Sequence, residues 1–161
     1  MATEKDLTAA KIMYNRVKEA LDNMGWTYDE NESKLNITTG AGGKDLNIDI
    51  DIYVEAEKHL VTVLSMLPID VPEDFRIDLS LAVSLINNRL VDGSFDYDTS
   101  KGILYYRTTA AYHDCILSSE VFEYMIYIAC RTVDDYNGML NKLSKSEMSM
   151  TEFIDFIIND K

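Results

Sequence analysis

Apolar residues recur at steps of three and four at the start of the chain, and at steps of two further along. From Thr3 to Gly25 the apolar positions form one stripe, which predicts an amphipathic helix lying on a sheet: Leu7, Ala10, Tyr14, Val17, Leu21 and Met24. Thr3 and Asp6 are spaced as a capping box, with Asp in place of the preferred Glu. Gly25 is placed to end the helix.

The next part of the chain alternates between apolar and polar residues, which indicates antiparallel strands with one wet face. The clearest strand lies within residues 46–56. Residues 59–67 are apolar on both faces, so we expect this strand to be more central. Short strands are also predicted at 26–30 and 35–39, and Gly40, Gly42 and Gly43 are predicted to form a flexible turn.

The pattern of residues 72–90 is compatible with either a strand or a helix. The run "FRIDLSL" alternates as a strand does, but the segment is too long for a typical strand. Pro72 followed by Glu73 and Asp74 is typical of a helix start. Helical spacing also relates Phe75, Leu79, Val83, Ile86 and Leu90. We therefore predict a helix that ends between residues 88 and 92.

The stretch "GSFDYDTSKGILYYRT", residues 93–108, invites a comparison with calcium-binding loops. Counted from Asp96, an EF-hand would need glycine at its sixth position and glutamate at its twelfth, where this chain has Lys101 and Arg107. The flanks are rich in aromatic and β-branched residues, as strands are. We therefore predict a β-hairpin whose tip runs from Asp98 to Gly102.

A third helix, capped by Ser118 or Ser119, is apolar on all sides between Val121 and Cys130. Something should therefore cover its second face. Two covers are available, a short C-terminal helix of the same chain or a second molecule. On this basis the residues predicted to bind a partner are Phe122, Met125, Ile126, Phe153 and Ile157.

The net charge of −13 changes the range of partners that can be expected. Nucleic acids and anionic membrane surfaces are disfavoured, because both carry the same sign of charge. The acidity favours solubility, and it could also attract a basic segment of a partner protein. The first ten residues lack the apolar region of a secretory signal, and no apolar run approaches the length of a membrane span.

Candidate chemistry is sparse. Asp49 and Asp51 share one face of a strand, but carboxylates along one strand diverge, so we interpret them as solvated charges rather than as a metal or acid–base site. His113 and Cys115 lie close in sequence, but nothing aims them at each other. Cys115 and Cys130 match no metal or redox spacing, so each is predicted to be a small buried side chain in a reducing cytoplasm. We predict no catalytic residue, no metal and no cofactor.

The run "LINNRLVDGSFDYDTSKGILYYRTTA" resembles the signature of the YbjN family of bacterial proteins, and "VTVLSMLPIDVPEDFR" is similar to a motif that precedes it there. The resemblance covers roughly residues 25–143. It implies an α+β fold like that of type III secretion chaperones. We expect an antiparallel five- to six-stranded sheet with helices packed on it, in the order α-β-β-β-α-β-β-α plus a C-terminal helix. The expected domain is single, 1–161, with a core at about 5–143 and a helical extension at 144–161.

These observations predict a non-enzymatic, protein-binding or chaperone-like module in a bacterial cytoplasm, which uses apolar helix and sheet surfaces. The client is a protein or a second copy of the chain in a homodimer, and neither nucleic acid nor membrane is expected to bind. Two alternatives stay open. One is a structural, self-associating domain without a client, and the other is a regulator that binds a small ligand.

Overall fold

The computed structural model describes residues 1–159, which form a six-stranded antiparallel sheet and four α-helices. The strands are ordered β1-β2-β3-β4-β6-β5 across the sheet. In chain order the elements are α1 (Glu4–Asn23), β1 (Asp29–Asn31), β2 (Asn36–Gly42), β3 (Asn47–Glu55), β4 (Leu60–Met66), α2 (Arg76–Asn87), β5 (Ser94–Asp98), β6 (Ile103–Ala111), α3 (Ser119–Ser144) and α4 (Met150–Asn159).

Helix α1 begins with the predicted capping box. The Asp6 amide donates to the Thr3 hydroxyl at 3.2 Å, and the Asp6 carboxylate accepts from the Thr3 amide at 2.7 Å. The predicted stripe is buried from Ala10 to Leu21, whereas Leu7 in the second turn stays half-exposed. Gly25 follows the helix with a φ of +70°, a backbone conformation that glycine adopts without cost.

One face of the sheet, here called the covered face, lies under the helices. On β3 the alternation places Ile48, Ile50, Ile52 and Val54 on this face, and all four are buried. Helices α1 and α3 pack against each other and on the central strands. Strand β4 lies between β3 and β6, so its predicted central position is confirmed.

The glycine-rich segment differs from the prediction. Gly40 and Gly42 lie within β2 and pair with β3, so they do not form a flexible turn. The chain turns at residues 43–46 instead, and there the Lys44 amide donates to the Asp134 carboxylate on α3 at 2.6 Å. The short strand predicted at 26–30 is present as the edge strand β1 at residues 29–31, which brings the sheet to six strands.

Helix α2 confirms the helical interpretation of residues 72–90, and Pro72 precedes the short 3₁₀ turn that leads into it. Helix α4 packs mainly on α2, with a smaller contact to α3. Its side chains Phe153 and Ile157 are buried there, and the Arg89 guanidinium donates to the Ile157 carbonyl. None of the helices in the described part of the chain combines the length and hydropathy that crossing a bilayer requires.

Candidate binding surface

The residues predicted to bind a partner all lie in the interior. Exposed fractions are 0% for Phe122, Ile126 and Phe153, 4% for Met125 and 5% for Ile157. A partner could reach these side chains only if a covering helix left its place. In the observed conformation they are core residues, and the accessible surface has to be sought elsewhere.

The apolar stretch of α3 is covered by other elements than the two that were expected, a C-terminal helix or a second molecule. Helix α1 packs along α3, and the Asn23 side chain donates to Glu123 at 3.0 Å between them. The sheet covers a second side of α3. The stretch from Val121 to Cys130 is thus enclosed mainly by α1 and the sheet, and only Tyr124 and Tyr127 remain about half-exposed. Helix α4 mostly covers α2 instead.

Within residues 1–159 no helix covers the second face of the sheet, and we call it the outer sheet face. Neighbouring strands place its side chains in rows, one of which runs Thr38, Asp51, Leu64 and Arg107. The next row holds Asn36, Tyr53, Thr62 and Thr109. A third holds Met66, Tyr105 and Asp96.

A continuous apolar ridge crosses the outer sheet face diagonally from β3 to β6. Its members are large side chains that the strand register places next to one another, on adjacent strands or two residues apart on one strand: Tyr53, Leu64, Met66, Tyr105 and Ile103. Met66 is 54% exposed, Tyr53 38% and Ile103 37%. The wet face of an antiparallel sheet is ordinarily polar. This ridge departs from that pattern, because three of its five apolar side chains are more than a third exposed.

The border of the ridge is acidic. Asp49 and Asp51 lie on its β3 side, and within residues 1–159 neither forms an ion pair. Partial burial, and then the charge of Asp49, raise the pKa of Asp51 above its ordinary value. On the other side the Arg107 guanidinium is neutralised by Asp96 at 2.7 Å. The free charge beside the ridge is negative.

The residues that resemble the family signature build the fold. The Asn87 side chain donates to the Phe95 carbonyl and accepts from the Phe95 amide, both at 2.8 Å, so it occupies the edge of β5 as a paired strand would. Gly93 has a φ of +69°, and a Cβ there would overlap the Tyr106 hydroxyl. The hairpin tip is confirmed, because Asp98 accepts from the Ser100 and Lys101 amides.

The two histidines share a groove of about 980 Å³ between α1 and the loop after β6. The ring of His59 lies 2.9 Å from the Asp6 carboxylate and 4.7 Å, centroid to centroid, from the ring of His113. Asp6 also holds the helix cap, and these hydrogen bonds, above all that from the Thr3 amide, lower its pKa to about 2. Within residues 1–159, no three His, Cys, Asp or Glu side chains are placed to hold a metal ion.

The two cysteines are free and differ in setting. Cys130 is half-buried on α3, and burial raises the pKa of its thiol to about 11, so it stays protonated at neutral pH. Cys115 is exposed in the loop after β6, so the prediction that it is buried is wrong. That loop lies outside the helical and strand elements, where the apolar pattern gives no guide to burial.

Sequence reasoning missed the outer sheet face as a site. The signal was present, since residues 59–67 are apolar on both faces and Tyr53 interrupts a row of aspartates. The second apolar face of β4 predicts a more central strand. Centrality within the sheet is correct, but it does not imply a cover on both faces.

Comparison with known proteins gives a family and a fold. The YbjN family model, described as "Putative bacterial sensory transduction regulator", matches residues 14–141. None of the curated protein sequences matches the chain significantly. Solved structures of similar fold include the following three.

The first is the crystal structure of YbjN, "a putative transcription regulator from E. coli", with a TM-score of 0.55 and 12% identity over 83% of this chain and 92% of that one. The ExsC–ExsE complex has a TM-score of 0.54 and 15% identity, over 79% of this chain and 92% of that one. The HopA1–SchA chaperone–effector complex has a TM-score of 0.54 and 8% identity, over 87% of this chain and 98% of that one. At these identities the likeness concerns the fold, which is α+β and type III secretion chaperone-like, as the resemblance implied.

Proposed function

The chain belongs to the YbjN family, and from this premise we propose that it is a non-enzymatic, chaperone-like module that binds a protein client on its outer sheet face. The observation that carries the proposal is the exposed apolar ridge on a face without helices. Large apolar patches on a surface mark interaction sites in many proteins. Two of the similar structures are complexes, one of them named a chaperone–effector complex, which supports a protein as the partner.

The geometry of the ridge suits a protein better than a small molecule. Small ligands bind in concave sites that bury most of their surface. The ridge is an open strip across three strands, so a ligand must be long enough to follow it. A segment of polypeptide meets this requirement.

The thiols support a cytoplasmic compartment. Both cysteines are free, and Cys115 is exposed, which suits a reducing environment. We therefore place the proposed client binding in the cytoplasm.

Affinity capture with paired variants tests the proposal. The double variant Leu64→Lys/Met66→Lys places two charges on the ridge. The control Ile77→Lys/Leu81→Lys makes the same change on α2, where those side chains are 82% and 47% exposed. We expect the parent and the control to retain one protein in stoichiometric amount from a bacterial lysate, and the ridge variant to lose it. If the control loses the protein and the ridge variant keeps it, the surface is wrongly assigned.

Self-association without a client is the second candidate, and the exposed pair on α2 favours it. Ile77 and Leu81 lie one turn apart on one helix face, where two copies could pair symmetrically. In the same capture experiment this candidate predicts that the parent retains only further copies of the chain. Light scattering would then show a dimer that the Ile77→Lys/Leu81→Lys variant abolishes.

A further inference from the structure

We infer that the occupant of the outer sheet face is an amphipathic helix of a partner protein, with lysine or arginine along the flank that lies over β3. This inference rests on the proposed function and specifies its partner. The dimensions of the ridge, its backbone chemistry and its bordering charges each bear on the occupant.

The length of the ridge matches a helix of moderate size. From Tyr53 to Ile103 it advances by six residues along the strands and crosses two inter-strand spacings. At about 3.4 Å per residue and about 4.8 Å per strand, its length is about 22 Å. A helix rises about 1.5 Å per residue, so about 15 residues follow the ridge from end to end.

The backbone chemistry favours a helix over an extended segment. The backbone groups of central strands are already paired within the sheet, so the face of the sheet offers only side chains. An extended segment laid on the ridge would bring unpaired amides and carbonyls against Leu64 and Met66, which costs free energy. A helix satisfies its own backbone and presents an apolar stripe.

The charges decide the flank. Asp51 stands beside Leu64 in the same row, and Asp49 lies two residues further along β3 on the same face. Neither carboxylate has a cationic partner in the described chain, whereas Arg107 on the other side is already neutralised by Asp96. Cations of an occupant would therefore be favoured over β3. A second copy of this chain brings a further net charge of −13, which disfavours it as the occupant.

A designed peptide of about 15 residues tests the inference, with leucines on one helical face and lysines along one flank. Isothermal titration at low salt should show saturable binding to the parent protein. A peptide with glutamates in place of the lysines, and a scrambled peptide of the same composition, should bind at least about tenfold more weakly. Met66→Lys should weaken binding by about tenfold, since it places a charge in the middle of the ridge.

The carboxylates are tested by a charge-matched pair. Asp49→Asn/Asp51→Asn and the control Asp70→Asn/Asp155→Asn change the net charge equally, and the control residues are exposed and lie off the outer sheet face. We expect about a fivefold loss for the first variant and less than about twofold for the control. Circular dichroism of each variant checks that the fold is kept. Equal losses in both variants would show unspecific attraction to an acidic protein and would overturn the inference.

The outcome for the inference is separable from that for the proposed function. A captured client that loses binding with Leu64→Lys/Met66→Lys but not with Asp49→Asn/Asp51→Asn overturns the basic flank and leaves client binding standing. A second copy seated on the ridge, seen as a dimer that Met66→Lys breaks, overturns the partner helix. If the parent protein captures no client and also does not bind the designed peptide, both proposals are overturned.

Discussion

The covered face and the outer sheet face belong to the same six strands but differ in what surrounds them. On the covered face Ile52 is 1% exposed and Val63 0%, whereas their neighbours on the other face, Tyr53 and Leu64, reach solvent. The covered face holds the fold together through burial. The outer face carries apolar side chains that contribute little to folding, so their presence calls for another explanation, which we take to be binding.

The largest expected effect concerns the helices over the covered face. Phe153→Ala should lower the free energy of unfolding by about 4 kcal/mol, because Phe153 on α4 is fully buried where this helix packs on its neighbours. The matched control is Phe156→Ala on the same helix, where the ring is 42% exposed and the loss should stay below about 1 kcal/mol. Urea unfolding followed by circular dichroism measures both. Equal losses would mean that α4 is not docked as described.

The two faces are compared directly by adjacent residues of β3. Ile52→Ala should destabilise by about 3 kcal/mol, since it opens a cavity in the core. Tyr53→Ala, one residue later on the outer sheet face, should cost less than about 1 kcal/mol. Urea unfolding followed by circular dichroism measures both losses in free energy of unfolding. A larger loss from Tyr53→Ala would indicate that the ridge is part of the folding core, contrary to our interpretation.

A smaller effect, of opposite sign, is expected at a polar residue inside the helical layer. Asn137 on α3 is fully buried, and neither polar atom of its side chain has a hydrogen-bond partner among residues 1–159. Asn137→Leu should therefore raise the free energy of unfolding by about 1 kcal/mol. Asn87→Leu is the contrast, because Asn87 pairs with the Phe95 backbone, and its loss should cost about 2 kcal/mol. Thermal unfolding distinguishes the two signs.

The smallest effect is a pH dependence at the margin of the covered face, where Asp6 caps α1. Hydrogen bonds, first of all from the Thr3 amide, lower the pKa of Asp6 from 3.8 to about 2 in the folded protein. A lowered pKa contributes stability above the unfolded value of 3.8, and this contribution is lost as the pH falls from about 4 to about 2. In Asp6→Asn the urea midpoint of unfolding should therefore fall less than in the parent as the pH drops from about 4 to about 2.

The control for this window is Asp70→Asn, which removes one exposed carboxyl group away from the helix cap. In this variant the urea midpoint should fall with acid as much as it does in the parent protein. If Asp6→Asn retains the full fall as well, the capping box does not carry the pH dependence.

Much of the fold could be predicted because its signals are local. The alternation of β3, the capping box at Thr3 and the turn residues Asp98 and Gly102 each act within a few residues of chain. The glycines of β2 were misassigned, because their strand pairing with β3 outweighs their local preference for turns.

The candidate site has only one such local signal, the apolar second face of β4, and that signal does not say whether a helix covers the face. A residue such as Met66 is apolar whether or not a helix covers it, and its exposure depends on where α1 and α3 pack. For the same reason the cover of Phe122 and Ile126 could not be predicted, and the pattern left a C-terminal helix or a second molecule as the alternatives. Their actual cover, α1, lies about a hundred residues away in sequence, so only the tertiary arrangement reveals it.

Hydroxyl-radical footprinting of the chain with its captured client tests the central claim most directly, since it reports the exposure of individual side chains. We predict that Tyr53 and Met66 on the outer sheet face lose reactivity on binding, while Tyr124 and Tyr127 on α3, which are similarly exposed in the free protein, keep theirs. Protection of Tyr124 and Tyr127 with Tyr53 and Met66 unchanged would contradict the claim that the outer sheet face binds the client.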